Sequence, residues 1–410
     1  MNWLRRLGRN RLLDLGAVLI ALIGLARIAW RLPERAVAND FAHYYLGSRL
    51  LLDGANPYTT PLAPLYAQHG FQYEEGVPFA AYPPTFLWLL APLALLPERV
   101  AYWIWVAGEV LSLAGILWLT RQLLGDRLSR RGLLFVGAAA VTSAAVYWHF
   151  HFSQTQLLLA WLLLAAYRWR LAGRDLWACG AVLAAVFIKM FPLALLPWFV
   201  WGQDGHWRTR CWRGLAVLAA AVALVVLTGV PLWGEFFARA QEVLPFDAKN
   251  HTFTVWLPSL MLNLRLAGSG FVMSAAEWRV WWSAAMVLGS LVIGLAYWLG
   301  IRRSLDPEAQ FCLLCVAMLA GNPTSKGHYL VLLIFPMAVA AVRVAARPTV
   351  GGVAGLGALL FLLNNLDTWA TPFLDRHLSL KILLNDLPLY GLLGLAWFFI
   401  AERRRPAARD

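Results

Sequence analysis

Runs of about twenty consecutive apolar residues, each long enough to cross a bilayer, recur along this chain and decide its class. The first extends from Leu12 to Trp30. Lipid offers a backbone amide no water, so such segments close their hydrogen bonds internally, as helices. Charged residues make up 14% of the sequence, where a soluble domain carries about a quarter. The expectation is an all-α, polytopic integral membrane protein forming a single transmembrane domain over residues 1–410. The Leu12–Trp30 run has no small-residue cleavage site and reads as a retained span.

A net charge of +13 would suit nucleic acid, but its placement does not. Seven short connectors, 1–11, 121–131, 168–174, 202–213, 302–308, 343–348 and 402–410, hold most of the 35 lysine and arginine residues. Basic residues concentrate on the cytoplasmic side of membrane proteins. Both termini are therefore expected in the cytoplasm of a cell-membrane protein, and the basic excess reports topology and contact with anionic lipid. No nucleic acid and no obligate protein partner is implied. The inner connectors use arginine alone, so Lys189, Lys249, Lys326 and Lys381 need another explanation. The four cysteines give no disulfide framework, and Cys312-x-x-Cys315 lacks the second pair or histidines of a zinc site.

Taken in order, the pattern predicts about twelve crossings, counting a short helical hairpin as two. Span one, Leu12 to Arg31, leads to a first outer loop, 32–99. That loop carries an amphipathic run from Tyr44 to Leu52 and a turn at Asp53-Gly54-Ala55-Asn56-Pro57-Tyr58. Its apolar 12-mer, Thr85 to Leu96, reaches roughly 18 Å as a helix, too short to cross, and is read as interfacial. Spans follow at 101–120, 132–148 and 157–167. Between basic flanks, 176–201 is too short for two full spans. Its centre, Phe187-Ile188-Lys189-Met190-Phe191-Pro192, fits a hairpin of half-length helices with Lys189 near the apex. Then come a span at 214–233, a second large outer loop at 234–278, and spans at 280–301, 311–320, 329–342, 350–366 and 387–401.

The polar residues that the apolar pattern does not explain gather at outer ends of spans or at the hairpin apex. They are Asp40, His43, His149, His151, Gln154, Gln156, Lys189, Asn250, His251, Lys326 and His328. A polar outer cavity under two large loops predicts such a set; so does the ordinary tendency of outer loops to be polar. Asp40, a carboxylate at a membrane boundary with His43 three residues on, has the make-up of a general base, and equally of a helix cap. A lysine at membrane depth is costly and marks a functional site, unless it snorkels. A phosphate is its natural partner, because a fixed cation stabilises a phosphate leaving group. On a helix His149 and His151 point apart, and no clustered carboxylates join them, so no metal is expected. There is no Walker loop, GxGxxG unit or GxSxG elbow.

The succession Asp40-Phe41 with Tyr44-Tyr45, Asn56-Pro57-Tyr58, Tyr82-Pro83-Pro84, Ile188-Lys189 with Pro192, and Asn322-Pro323-Thr324-Ser325-Lys326-Gly327-His328-Tyr329 resembles glycosyltransferase family 87. The resemblance runs from residue 12 to about 345. Met190-Phe191 departs from the small residue or Pro-Tyr usual after the hairpin lysine, and Asn322 replaces a serine. The resemblance implies a GT-C-like bundle that moves a hexose, mannose by analogy, from a polyprenyl-phosphate donor to a lipid or glycan acceptor at the outer face, with inversion. It implies Asp40 as catalytic base. Lys189, His328 and Lys326 are implied for the donor phosphate. His43, Tyr44 and Tyr82 are implied to shape the sugar and acceptor site, and His151, Gln154, Asn250 and His251 complete the substrate set. No cofactor is implied. A transporter or flippase of lipid-linked sugars, or a polymerase of them, remains the competing reading. A transporter calls for inverted halves and a midplane site, whereas no second half matching the first is evident.

Overall fold

In this computed structural model, residues 2–35, 40–72, 79–202, 206–240, 252, 254, 275–364 and 387–401 are described. Among them there is no strand; every regular element is helical. The chain forms two compact units, Met1–Val243 and Leu244–Asp410.

The first unit contains α1 (Asn2–Arg35), α2 (Asp40–Leu52), α3 (Ala63–Gln68), α4 (Pro84–Ala94), α5 (Glu98–Leu124), α6 (Arg130–Thr142), α7 (Ala144–His151), α8 (Gln156–Leu171), α9 (Asp175–Ile188), α10 (Leu196–Trp201), α11 (Trp207–Thr228) and α12 (Val230–Ala240). The second contains α13 (Ala275–Arg302), α14 (Pro307–Gly321), α15 (Ile334–Ala346), α16 (Val350–Leu363) and α17 (Leu387–Ala401). Among the described residues five helices are long and apolar enough to cross a membrane: Arg11–Glu34, Glu98–Arg127, Trp207–Thr228, Arg279–Arg302 and Gly327–Ala346. Their outward faces suit lipid rather than water. Along α11, Leu215, Leu218, Val222 and Val226 are all exposed.

The expected third span is not straight. α6 and α7 meet at an angle of 52°. Ser143 makes the break: it ends α6 in an extended conformation, and its hydroxyl accepts from the backbone N–H of Val146 to start α7. Small residues let the first helices approach closely. A Cβ on Gly24 of α1 would stand 2.8 Å from the carbonyl oxygen of Val141 on α6.

The 176–201 segment breaks as expected. α9 stops at Ile188, Lys189 is extended (φ −147°, ψ 135°), and a 3-10 turn over Phe191–Leu195 leads into α10. Pro192 has no N–H to continue the α9 ladder. Behind this hairpin, Arg170 donates to the carbonyls of Trp198 (2.5 Å) and Gly202 (3.1 Å), and Arg213 pairs with Asp175 at 2.9 Å.

The 32–99 segment differs from its expected form in one respect. The Tyr44–Leu52 run is not amphipathic in its setting: Phe41 to Ser48 are all buried, and α2 packs along α4 as a core helix. Ser48 donates to the carbonyl of Leu87 at 2.8 Å, locking the two together. α2 ends in a double-bonded cap in which Ala55 N–H reaches Leu50 and Gly54 N–H reaches Leu51. Gly54 supplies the left-handed residue (φ 72°) that this cap requires. The short helix expected over 85–96 is α4, with Pro84 at its first position; Trp88 and Leu89 face outward while Phe86 and Leu87 are buried.

Candidate active site

Three helix ends meet in the first unit: the start of α2, the end of α7 and the end of α9. The first two are tied by the backbone N–H of Asp40, which donates to the carbonyl of Phe152 at 3.2 Å. α9 is tied to α4 by the hydroxyl of Thr85, which donates to the carbonyl of Phe187 at 2.8 Å. α7 closes with the same double-bonded cap as α2: Ser153 N–H reaches Phe150 and Gln154 N–H reaches His149. Here the left-handed position is occupied by Ser153 (φ 49°), not glycine. This cap delivers Gln154 to the junction.

The side chains form a continuous row. Gln154 Nε2 donates to Asp40 Oδ2, and Gln154 Oε1 accepts from Lys189 Nζ at 3.0 Å. Lysine has only donors, so the amide oxygen must face it and the amide N–H must face the carboxylate. Lys189 Nζ also stands 5.3 Å from the centre of the Tyr82 ring. The Tyr82 and Tyr44 hydroxyls share a hydrogen bond of 3.1 Å, their rings meeting edge to face at 4.5 Å. Tyr58, from the Asn56-Pro57-Tyr58 turn, donates to the Tyr82 carbonyl at 2.6 Å. Asp40 and Lys189 are half-buried, while Gln154, Tyr44 and Tyr82 are buried. The row therefore offers a carboxylate, an amide, an ammonium and two phenols.

His43 is buried behind Asp40 with its ring edge-on to Tyr66. Burial holds its imidazole below the usual range, with Asp40 pulling the other way. Burial likewise raises the phenol of Tyr44. Both groups are thus kept neutral near pH 7. His151 lines a small cleft with Ile28, Arg31, Leu32, Tyr147 and Phe150, against α1. In the second unit, Asn322 caps the end of α14 and its amide donates to Ser325 at 3.1 Å. Lys326 is half-buried there, and His328 is buried at the head of a 3-10 turn over Gly327–Leu333. Asn250 and His251 lie outside the described residues. Among the described residues no three of His, Cys, Asp and Glu are grouped to hold a metal ion.

The model of glycosyltransferase family 87 matches residues 79–336, well over half of the sequence. The chain belongs to glycosyltransferase family 87. Tyr82, Gln154, Lys189, Lys326 and His328 fall inside the family 87 match; Asp40, His43 and Tyr44 precede it. Two characterised relatives come from Mycolicibacterium smegmatis. One is a polyprenol-phosphate-mannose-dependent alpha-(1-2)-phosphatidylinositol pentamannoside mannosyltransferase, 28% identical over 40% of this chain and 39% of its own length. The other is a polyprenol-phosphate-mannose-dependent alpha-(1-2)-phosphatidylinositol mannoside mannosyltransferase, 26% identical over 81% of this chain and 76% of its own length. No solved structure matches this family 87 chain.

The structure adds a buried pair that the sequence reading passed over. Glu109, midway along α5, receives His149 Nε2 at 2.8 Å, and both side chains are all but fully enclosed. The Leu158 backbone N–H also bonds the Glu109 carboxylate. Leu158 is in the first turn of α8, so Glu109 satisfies an otherwise orphaned helix-terminal donor from a neighbouring helix. The available signal was an acid inside an apolar span. Glu109→Leu leaves both donors buried without an acceptor. The expected cost is about 2 kcal/mol, read as a lower unfolding temperature of the purified protein. An unchanged transition would show that water reaches the pair.

Proposed function

We propose that this family 87 chain is a membrane mannosyltransferase that uses a polyprenyl-phosphate-linked sugar and transfers it to a lipid or glycan hydroxyl at the outer face. The observation that carries the reading is the Asp40–Gln154–Lys189 row in a family 87 chain. A carboxylate and a cation held one amide apart match the two charge changes of the reaction. Asp40 takes the proton of the acceptor hydroxyl as its oxygen attacks the anomeric carbon. The bond from that carbon to the phosphate oxygen breaks, and polyprenyl phosphate leaves with the electron pair. Lys189 stabilises the charge that accumulates there. Attack opposite the leaving group inverts the anomeric centre. Tyr44 and Tyr82 form one wall for the sugar, with His43 behind the base. For Lys326 and His328 the donor-phosphate role is proposed on sequence grounds alone, as is a substrate role for His151, Asn250 and His251. Phosphatidylinositol mannosides, named for both relatives, are the acceptor class to try first.

The deciding experiment supplies purified protein with a panel of polyprenyl-phosphate sugars and a phosphatidylinositol mannoside acceptor. Polyprenyl-phosphate mannose should give a glycosylated product and free polyprenyl phosphate in equal amounts. Product from nucleotide sugars alone, or from none of the panel, would overturn the reading.

The proposed topology has twelve crossings, the hairpin included, with the termini and arginine-rich connectors in the cytoplasm. Gln68 and Ala172 are both exposed. In a background with the exposed Cys211 changed to Ser, Gln68→Cys should react with an impermeant thiol reagent on intact cells, and Ala172→Cys only after lysis. The reverse pattern would place the donor on the wrong side.

A further inference from the structure

We infer that Gln154 is a positioning residue: its neutral amide keeps the Asp40 carboxylate and the Lys189 ammonium apart while fixing each one's orientation. The inference rests on the proposed role of Asp40 as base and deepens it.

The geometry leaves the amide little freedom. Gln154 is buried, its backbone is pinned to His149 at 3.0 Å, and its two amide atoms are committed to Asp40 and Lys189. The residue before it, Ser153, holds a left-handed conformation that strains an ordinary side chain. A glycine would remove that strain, so this turn is not optimised for its own stability. What the turn does is aim Gln154 between the two charges.

The spacer has a chemical consequence. Unlike charges this near each other in a partly desolvated site pair directly unless something stands between them. A direct pair would occupy the base and the phosphate-binding cation with one another. With the amide between, Lys189 donates to the neutral Gln154 oxygen rather than to the base, and its charge is not cancelled by Asp40. Asp40 spends Oδ2 and keeps Oδ1 for the acceptor hydroxyl.

Two variants separate this role from packing. Gln154→Met keeps length and volume but removes both hydrogen bonds. It should lower kcat by tenfold or more and raise the donor KM, with the unfolding temperature unchanged. Gln154→Glu places a negative charge against Asp40 and pairs with Lys189. A like charge disfavours the ionised base, so the acid limb of the pH–rate profile should move about one unit toward higher pH, with a higher donor KM. A packing role predicts equal, modest losses in both variants and no movement of the limb. An acid limb superimposable on the parent's in Gln154→Glu overturns the inference. If that variant does not fold, Gln154→Met decides: kcat within threefold of the parent overturns it. Asp40→Asn is measured alongside. Full transfer by Asp40→Asn defeats the base assignment itself. An inactive Asp40→Asn with an unmoved limb in Gln154→Glu defeats only the bridge.

Discussion

Asp40→Asn should leave the protein folded, donor-binding and nearly inactive. The substitution preserves shape, and asparagine serves at a helix start as well as aspartate does. The backbone bond from residue 40 to the carbonyl of Phe152 does not involve the side chain. Thermal stability should therefore match the parent's. Donor affinity should stay within about 1 kcal/mol, a few-fold in Kd. Transfer should fall by roughly 10²–10⁴, the usual contribution of proton transfer to a positioned base. Sugar transfer and donor binding are measured separately on the purified variant. Transfer close to the parent's would remove Asp40 from the mechanism. Asp53 is a poor successor, because it sits exposed at the far end of α2 and pairs with Arg49 at 3.3 Å. Glu74 and Glu75 would be next.

The membrane class was legible because lipid enforces it: an apolar run of that length has few other destinations. Asp40 and Lys189 were legible for the converse reason, as polar groups that an apolar setting does not explain; Tyr44 and Tyr82 entered through the family resemblance. The structure brings those four into one row. Three features were harder to see. The bend at Ser143 carries no proline or glycine to announce it, and a serine within an apolar run usually bonds back to its own helix. The cap that presents Gln154 uses Ser153 where the recognisable signal is glycine. Glu109 was visible as an acid within a span, but its meaning depends on His149, forty residues away on another helix. Periodicity describes one helix at a time and does not report which faces meet. The start of α14 was underread: Asp306-Pro307 is a cap followed by proline at the first helical position, and Asp306 accepts from Ala309 N–H at 2.8 Å. That extends the expected 311–320 span to fifteen residues, Pro307–Gly321.

Lys189→Met tests the other end of the row. Methionine matches the lysine stem in length and apolar character, so packing against Tyr82 is retained while the charge and all its donors are lost. A hydrogen bond to a charged group is worth about 1.5–3 kcal/mol, so a lysine that contacts donor phosphate should raise the donor KM by roughly ten- to a hundredfold when removed. A second effect separates binding from catalysis. Negative charge grows on the phosphate as the glycosidic bond breaks, so a cation there is worth more in the transition state than in the ground state. Hence kcat should fall as well, and kcat/KM should fall by more than either alone. Lys189→Arg should recover part of the loss, limited by a planar fork in a place shaped for a point charge. The alternative is a lysine that merely extends its ammonium toward water. Such a residue would tolerate methionine with normal kinetics and show no preference for arginine. Its bond to Gln154 would then be only the nearest acceptor for a solvated group. Steady-state kinetics of both variants against donor concentration, on protein confirmed to be folded and membrane-inserted, distinguish the two. Parental kcat and KM in Lys189→Met would leave the donor phosphate without its partner in the first unit.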